Sequence, residues 1–264
     1  MLPSENKIFI ASNKNSYLTR HINSCLVEDS LDSEYGSVLP TKHDPTIVIV
    51  DLYEFDEQTE TIINDVLESR TRKIILIENA LDLYLNSKNA LPFSVYSKVI
   101  PKNEICEKYL AIEKKIIDSR KQYVIFRVSE VYGLSMPGSL IEQLLFVNSG
   151  EFENSIRDFI YDGDVISAIE IALRKEVSGV FDIASGQSIE LRKLVELIKK
   201  TRQFNNINIQ WRRKKLEIAF NCDNFKFYKW EPLVNLEIGL KTLLSFRRNY
   251  GKLQGTGNTS RKNF

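Results

Sequence analysis

Regular patterning begins at Lys7 to Ala11 (KIFIA), a short β-branched and aromatic run that predicts a strand. The polar turn Ser12-Asn13-Lys14-Asn15 caps a helix reaching Val27, so the chain starts β-α. Residues 28–45 are polar and carry Gly36, Pro40 and Pro45, which reads as a loop. Thr46 to Leu52 (TIVIVDL) is almost unbroken apolar sequence, as expected of a parallel strand covered on both faces. Ile62, Ile63, Val66 and Leu67 give Asp56 to Ser69 a helical stripe, and Lys73 to Ile77 (KIILI) is a second buried strand. Residues 78–102 are irregular. A helix from Asn103 to Ser119 follows, with Ile105, Tyr109, Ile112 and Ile116 on one stripe, and then a strand at Tyr123 to Arg127 (YVIFR).

Further helices fall near Ser139 to Val147, Asp164 to Arg174 and Leu191 to Lys200, with a strand at Gly179 to Ile183 among them. Strands alternating with helices of this length imply right-handed crossovers and a parallel sheet, so the fold class is α/β. Beyond Thr201 the pattern changes to two strand-like pieces, Ile207 to Trp211 and Glu217 to Asn221, and a helix from Leu236 to Arg247. These suit a small cap. The tail from Asn249 to Phe264, rich in Gly, Asn, Ser and Lys, is expected to be disordered.

Composition sharpens this picture mainly by exclusion. At one domain per roughly 150 residues, a chain of 264 residues makes one large domain or a main domain with a cap. Its 36 basic and 35 acidic residues leave a net charge of +1, so no global field favours nucleic acid or an anionic membrane. Apolar runs such as Ile47 to Val50 fall far short of the ~20 residues of a membrane helix, so no membrane insertion is expected. Residues Met1 to Lys7 lack a signal-peptide pattern, and the expected compartment is the cytoplasm. Cys25, Cys106 and Cys222 lie far apart, and with only His21 and His43 beside them no metal site or disulfide framework emerges. A Cys-His nucleophile pair has nothing to argue for it. Of the 11 glycines, Gly36 alone precedes Gly133, so the first half holds no Gly-rich phosphate loop.

One set of segments carries chemistry. Arg157-Asp158-Phe159-Ile160-Tyr161 followed by Asp164-Val165 reads as a strand that delivers a basic residue to a cleft and an aspartate to a helix start. In register with it stand Arg127-Val128-Ser129-Glu130-Val131-Tyr132-Gly133, Phe181-Asp182-Ile183-Ala184-Ser185-Gly186, Trp230-Glu231-Pro232 and Leu236-Glu237-Ile238-Gly239-Leu240. This order and spacing resembles the C-terminal two-thirds of the extended short-chain dehydrogenase/reductases, the NAD-dependent nucleotide-sugar epimerases and dehydratases. The resemblance implies a doubly wound, Rossmann-like NAD-binding domain with a small nucleotide-sugar-binding subdomain. Here that becomes a truncated Rossmann-like sheet over residues 1–160, a mixed segment over 161–248 that completes it and forms the subdomain, and a tail over 249–264.

Several residues that the resemblance calls for are missing. The family's dinucleotide turn, G-x-x-G-x-x-G, is replaced by Ala11-Ser12-Asn13-Lys14-Asn15-Ser16-Tyr17, so Ala11, Asn13 and Ser16 form a degenerate cofactor loop. Only residues 28–45 separate the first helix from the next strand, so at least one β-α unit is expected to be deleted. The family's Ser, Tyr and Lys correspond to Ala80, Ile105 and Tyr109, none of which does that work. The expectation is therefore of no catalytic residues and no cofactor.

The nucleotide-sugar side is better kept. Arg157 matches the arginine that contacts the diphosphate, Arg213 is a second clamp, and Tyr132 and Glu130 stand beside the ligand. Glu130 replaces an asparagine, and a carboxylate facing a diphosphate repels it. The reading is a degenerate, ligand-binding, regulatory or assembly subunit, with a nucleotide sugar as ligand and a protein partner or homodimer. The resemblance also implies sugar-nucleotide or surface-polysaccharide metabolism in a bacterium. The alternative is an active NAD(P)-dependent epimerase, dehydratase or reductase with an atypical site. A third reading is an enzyme of different chemistry using Glu78, Asp82, Cys106 or Glu130.

Overall fold

The computed structural model describes residues 7–12, 16–40, 45–55, 57–84, 91–101, 103–146, 149–202 and 208–255; side chains are not described at 57–60, 202, 213–216 and 247–255. The chain begins with β1 (Ile8–Ala11), α1 (Tyr17–Glu28) and β2 (Ser33–Gly36), followed by β3 (Ile47–Leu52), α2 (Glu57–Glu68) and β4 (Lys73–Asn79). Then come α3 (Ala80–Tyr84), α4 (Glu104–Asp118), β5 (Gln122–Val128), β6 (Glu130–Tyr132), α5 (Leu140–Phe146) and β7 (Ser149–Tyr161). The last elements are α6 (Asp162–Arg174), β8 (Gly179–Ile183), β9 (Ser188–Glu190), α7 (Leu191–Arg202), β10 (Asn208–Glu217), α8 (Asp223–Lys226) and α9 (Leu236–Gly255).

Six strands form one parallel sheet in the order β2-β1-β3-β4-β5-β8. From β1 the chain goes out to the edge strand β2 and returns to β3 on the other side of β1. The carboxyl ends of β1 and β3 therefore flank the crevice where such sheets bind ligands. Residues Ile47–Val50 and Ile74–Ile77 are fully covered, as their unbroken apolar text requires. Helix α4 is delimited by its own sequence: the Asn103 side chain accepts the Cys106 N–H at 2.7 Å, and Glu104 and Glu107 lie in the first turn with Lys115 in the last. Lys73 reaches from β4 to the end of α6, donating to the carbonyls of Ala172 at 2.5 Å and Lys175 at 3.1 Å.

A second sheet has the order β10-β7-β6, with β9 antiparallel on β7. It has its own core, in which Ile141, Leu144 and Leu145 of α5 meet Leu191, Leu194 and Ile198 of α7 and Leu240 and Leu243 of α9. Trp230 joins the layers: its ring N–H donates to Ser167 Oγ at 2.9 Å, while the Asp164 carboxylate accepts the N–H groups of Leu233 and Val234.

Four expectations change. The loop over 28–45 contains β2, so the unit after α1 keeps its strand and pairs it with β1. Residues 78–102 include the short helix α3. Of the two strand-like pieces after Thr201, the first opens β10, which runs on to Glu217 with a bulge between Arg213 and Leu216, whereas the second is not a strand beyond Glu217 and makes only an isolated bridge from Phe220 to Phe93; Ile207 lies outside the described residues. The final helix continues to Gly255, so residues 249–255 are helical rather than disordered, and 256–264 lie outside the described residues. The α4 stripe also divides: Tyr109, Ile112 and Ile116 enter the core, while Ile105 is 39% exposed.

Candidate functional site

At the β1–β3 crevice, the amino end of α1 is met by a carboxylate from within the chain. Asp51, near the end of β3, is 2% exposed, and its Oδ2 accepts hydrogen bonds from Ser16 Oγ and Thr19 Oγ1, each at 2.7 Å. Its Oδ1 accepts the Tyr53 N–H at 3.0 Å. Ser16 is the helix N-cap, its hydroxyl accepting the Thr19 N–H at 3.2 Å. Burial pushes the Asp51 carboxyl up, and the bonds from Thr19, Ser16 and Tyr53 oppose that rise. Of the sequence-predicted cofactor loop, Ala11 is buried in β1 and Ser16 holds the cap; Asn13 lies outside the described residues.

Two phenols close the neighbouring strand ends. The Tyr53 hydroxyl accepts the Val131 N–H at 2.7 Å and donates to the Ser129 carbonyl at 3.2 Å, tying the end of β3 to the turn after β5. Tyr109 donates its hydroxyl proton to the Leu52 carbonyl at 2.7 Å and meets Phe55 edge-on. Burial drives both phenols far above their ordinary range, so neither serves as an acid or base near neutral pH. Ala80 is buried at the start of α3. Ile105 and Tyr109 thus part company, one to the surface and one to a structural hydrogen bond.

On the other side of the cleft, Arg157 in β7 is engaged by the chain itself. Its Nη1 lies 3.1 Å from Glu130 Oε2, with side-chain exposures of 17% and 18%, and its Nε donates to Ser155 Oγ at 3.0 Å. Burial raises the Glu130 carboxyl and Arg157 pulls it back. The acidic residue expected to repel a diphosphate is the internal counter-ion of the arginine expected to bind it. Tyr132 is 1% exposed, and its hydroxyl has no hydrogen-bond partner among the described residues. Gly239 of α9 presses on it: an added Cβ there would stand 2.2 Å from that hydroxyl. Tyr132 is packing rather than an open ligand contact. The main chain of Arg213 pairs with Asn154 of β7, and its side chain lies outside the described residues. Beyond the carboxyl end of β8 two adjoining cavities of about 460 Å³ each share Ser185, Gln187 and Pro232, with Cys222 in one wall and Phe159 in another.

Sequence reasoning named Glu78 but missed the row of charge inside the sheet to which it belongs. Glu78, Arg127 and Asp182 are register neighbours across β4, β5 and β8 and lie buried on one face. Arg127 makes a bidentate pair with Glu113 of α4, both bonds 2.7 Å, and donates to Tyr84 Oη at 2.8 Å. Glu78 is 0% exposed and its carboxyl is driven well up by burial and by Glu113. Asp182 is pushed up to about 7, chiefly by burial. The available signal was an arginine and two acids inside otherwise apolar strands. Cys106 is buried over the Leu83 carbonyl, and burial raises the Asp82 carboxyl. Glu78 and Cys106 are buried, whereas Asp82 and Glu130 are partly exposed and both lie near enough to raise the Tyr53 phenol. Asp51 was missed as well, although an acid ending TIVIV was its mark.

No family model and no curated protein matches the sequence. Solved structures do match the fold. Over 92% of this chain and 99% of the other, it superposes with a TM-score of 0.78 and 16% identity on a UDP-glucose 4-epimerase of Thermotoga maritima solved with UDP-glucose. RMD of Pseudomonas aeruginosa complexed with NADPH gives 0.74 at 17% identity, covering 93% and 100% of the two chains. A dTDP-glucose 4,6-dehydratase of Bacillus anthracis in complex with NAD gives 0.77 at 13%, covering 93% and 98%. The fold is that of the nucleotide-sugar epimerases and dehydratases. The expectation of no cofactor is corrected accordingly, because proteins with this fold are seen holding NADPH or NAD. At α1, Asp51 accepts hydrogen bonds from Ser16 and Thr19, and residues 13–15 of the turn lie outside the described residues. Among the described residues, no helix is long and apolar enough to cross a membrane, and no group of His, Cys, Asp or Glu could hold a metal.

Proposed function

We propose that this chain is a nucleotide-sugar-binding protein that does not carry out the proton and hydride transfers of epimerases and dehydratases, and that it acts as a regulatory or assembly subunit. The observation that carries this reading is the fate of Tyr109 and Ile105: where the resemblance calls for a paired tyrosine and lysine, a phenol is spent on the Leu52 carbonyl and an isoleucine faces solvent. Absence of a general acid or base typically removes about 10²–10⁴-fold of rate. Binding is assigned to Arg157, whose guanidinium suits a diphosphate once the ligand takes the place of Glu130. Such a subunit acts on a protein partner or on a second copy of itself, and light scattering measures the latter.

UDP-glucose is the test ligand, since it occupies a structure of this fold. It is expected to raise the melting temperature of the wild type and to leave Arg157→Ala unmoved, with no conversion of UDP-glucose when NAD⁺ or NADP⁺ is added. Turnover under those conditions overturns the non-catalytic reading, and no shift by any nucleotide sugar overturns the binding one. The second reading, an active NAD(P)-dependent enzyme with an atypical site, is favoured by the NAD and NADPH held by proteins of this fold. Single-turnover NADH formation in the same assay selects it.

A further inference from the structure

Away from the cleft, a groove between α7 and β10 encloses about 550 Å³, within the roughly 300–1,000 Å³ range of small-ligand sites. None of its lining residues borders the two cavities beside Ser185. Val195, Ile209 and the half-buried Trp211 make an apolar floor, and Arg192, Lys193 and the Lys199–Glu196 pair make the rim. The Arg192 guanidinium sits 5.7 Å from the centre of the Trp211 ring, so stacking holds it while its N–H donors stay exposed. Arg192 and Lys193 have no acidic partner among the described residues, whereas Arg212, Arg174, Lys226 and Lys241 each have one. Both unpaired cations also stand in the first turn of α7, which contains no acid, although the helix dipole favours acids there. Two like charges placed against that preference, beside a ring and with their donors open, form a setting complementary to an anion.

We infer that this groove binds a small organic phosphate, the phosphate held by Arg192 and Lys193 and its ring laid on Trp211. Arginine in a stacked, pre-oriented setting favours bidentate phosphate contact, and the second cation matches a dianion. A nucleoside monophosphate and a sugar phosphate present the same two groups, so AMP and glucose 1-phosphate are the probes. Trp211 is also the reporter, because the chain has two tryptophans and Trp230 is buried at 2% exposure. Titration at low salt is expected to quench tryptophan emission saturably with at least one probe. The doubly substituted Arg192→Gln/Lys193→Gln protein should bind about tenfold or more weakly, a loss of about 1.4 kcal/mol, with an unchanged melting temperature. Arg157→Ala should keep the quench, so that failure of the cleft reading and of this one are told apart. No saturable quench in the millimolar range overturns the inference. So does equal affinity in the double variant, and so does inorganic phosphate binding as tightly as both probes, since the ring then contributes nothing.

Discussion

Arg157 and Glu130 balance each other in a partly dry setting, and the affinity of the cleft turns on that balance. Removing the carboxylate without changing its shape leaves the guanidinium short of its counter-charge, and an incoming diphosphate restores it. Glu130→Gln is therefore expected to tighten UDP-glucose about tenfold, which calorimetry reads. The same pair sets a pH dependence. Burial holds the Glu130 carboxyl above its ordinary range, so acidification protonates it and releases Arg157. Wild-type affinity should rise as pH falls from about 8 to 5, and Glu130→Gln should flatten that profile. A profile unchanged by the substitution would show that some other group controls the ligand.

At the scale of elements, the seat of α9 on β6 is a close approach that glycine permits. With an added Cβ placed 2.2 Å from the Tyr132 hydroxyl, Gly239→Ala must shift the helix or the ring. Overpacking of this kind costs about 1–3 kcal/mol, seen as a lower denaturation midpoint with an unchanged m-value. Lys73→Met should cost about as much, roughly 1–3 kcal/mol, by removing the ammonium that donates to the Ala172 and Lys175 carbonyls at the end of α6, the latter keeping only the Val177 N–H. The elements themselves were legible where burial writes a period. TIVIV, KIILI and YVIFR are apolar because both faces of β3, β4 and β5 are covered. Strand β2 was not legible, because Ser33-Glu34-Tyr35-Gly36 sits at a sheet edge and is held by backbone pairing to β1, which leaves no mark in side-chain polarity. In the site, Arg157 and Glu130 stood out through their neighbours, and their mutual pairing needed β6 and β7 laid side by side. Asp51 gave only one acid at a strand end, and its contact with α1 exists only once the crossover brings β3 beside β1.

Across the whole molecule, six carboxyls set into the fold point one way. Asp51, Glu78, Glu130, Asp158, Asp164 and Asp182 are all raised, burial being the largest cause for each. The carboxyls lowered by a partner, Glu151, Asp223 and Glu237, lie on the surface and weigh little. Around Arg127 the imbalance is explicit. One cation, already claimed bidentately by Glu113, faces Glu78 and Asp182 as well, with Tyr84 and Cys106 alongside. The native state therefore keeps protons on these acids at pH values where the unfolded chain, with Asp near about 3.9 and Glu near about 4.3, has lost them. Stability contributed by a raised group is complete below its unfolded pKa and is lost as pH climbs through the folded value, about 7 for Asp182. Urea stability should thus fall between about pH 5 and 8 by on the order of a few kcal/mol, opposite to the rise expected when paired carboxylates dominate. Glu78→Gln and Asp182→Asn keep the shape and remove the titration. Each should make the slope shallower and raise stability at the alkaline end, because the native state no longer has to hold a charge that Arg127 cannot balance. Stability that is flat or rises over this range in the wild type, or slopes that neither substitution alters, would mean that water or a rearranged Arg127 already compensates the buried row.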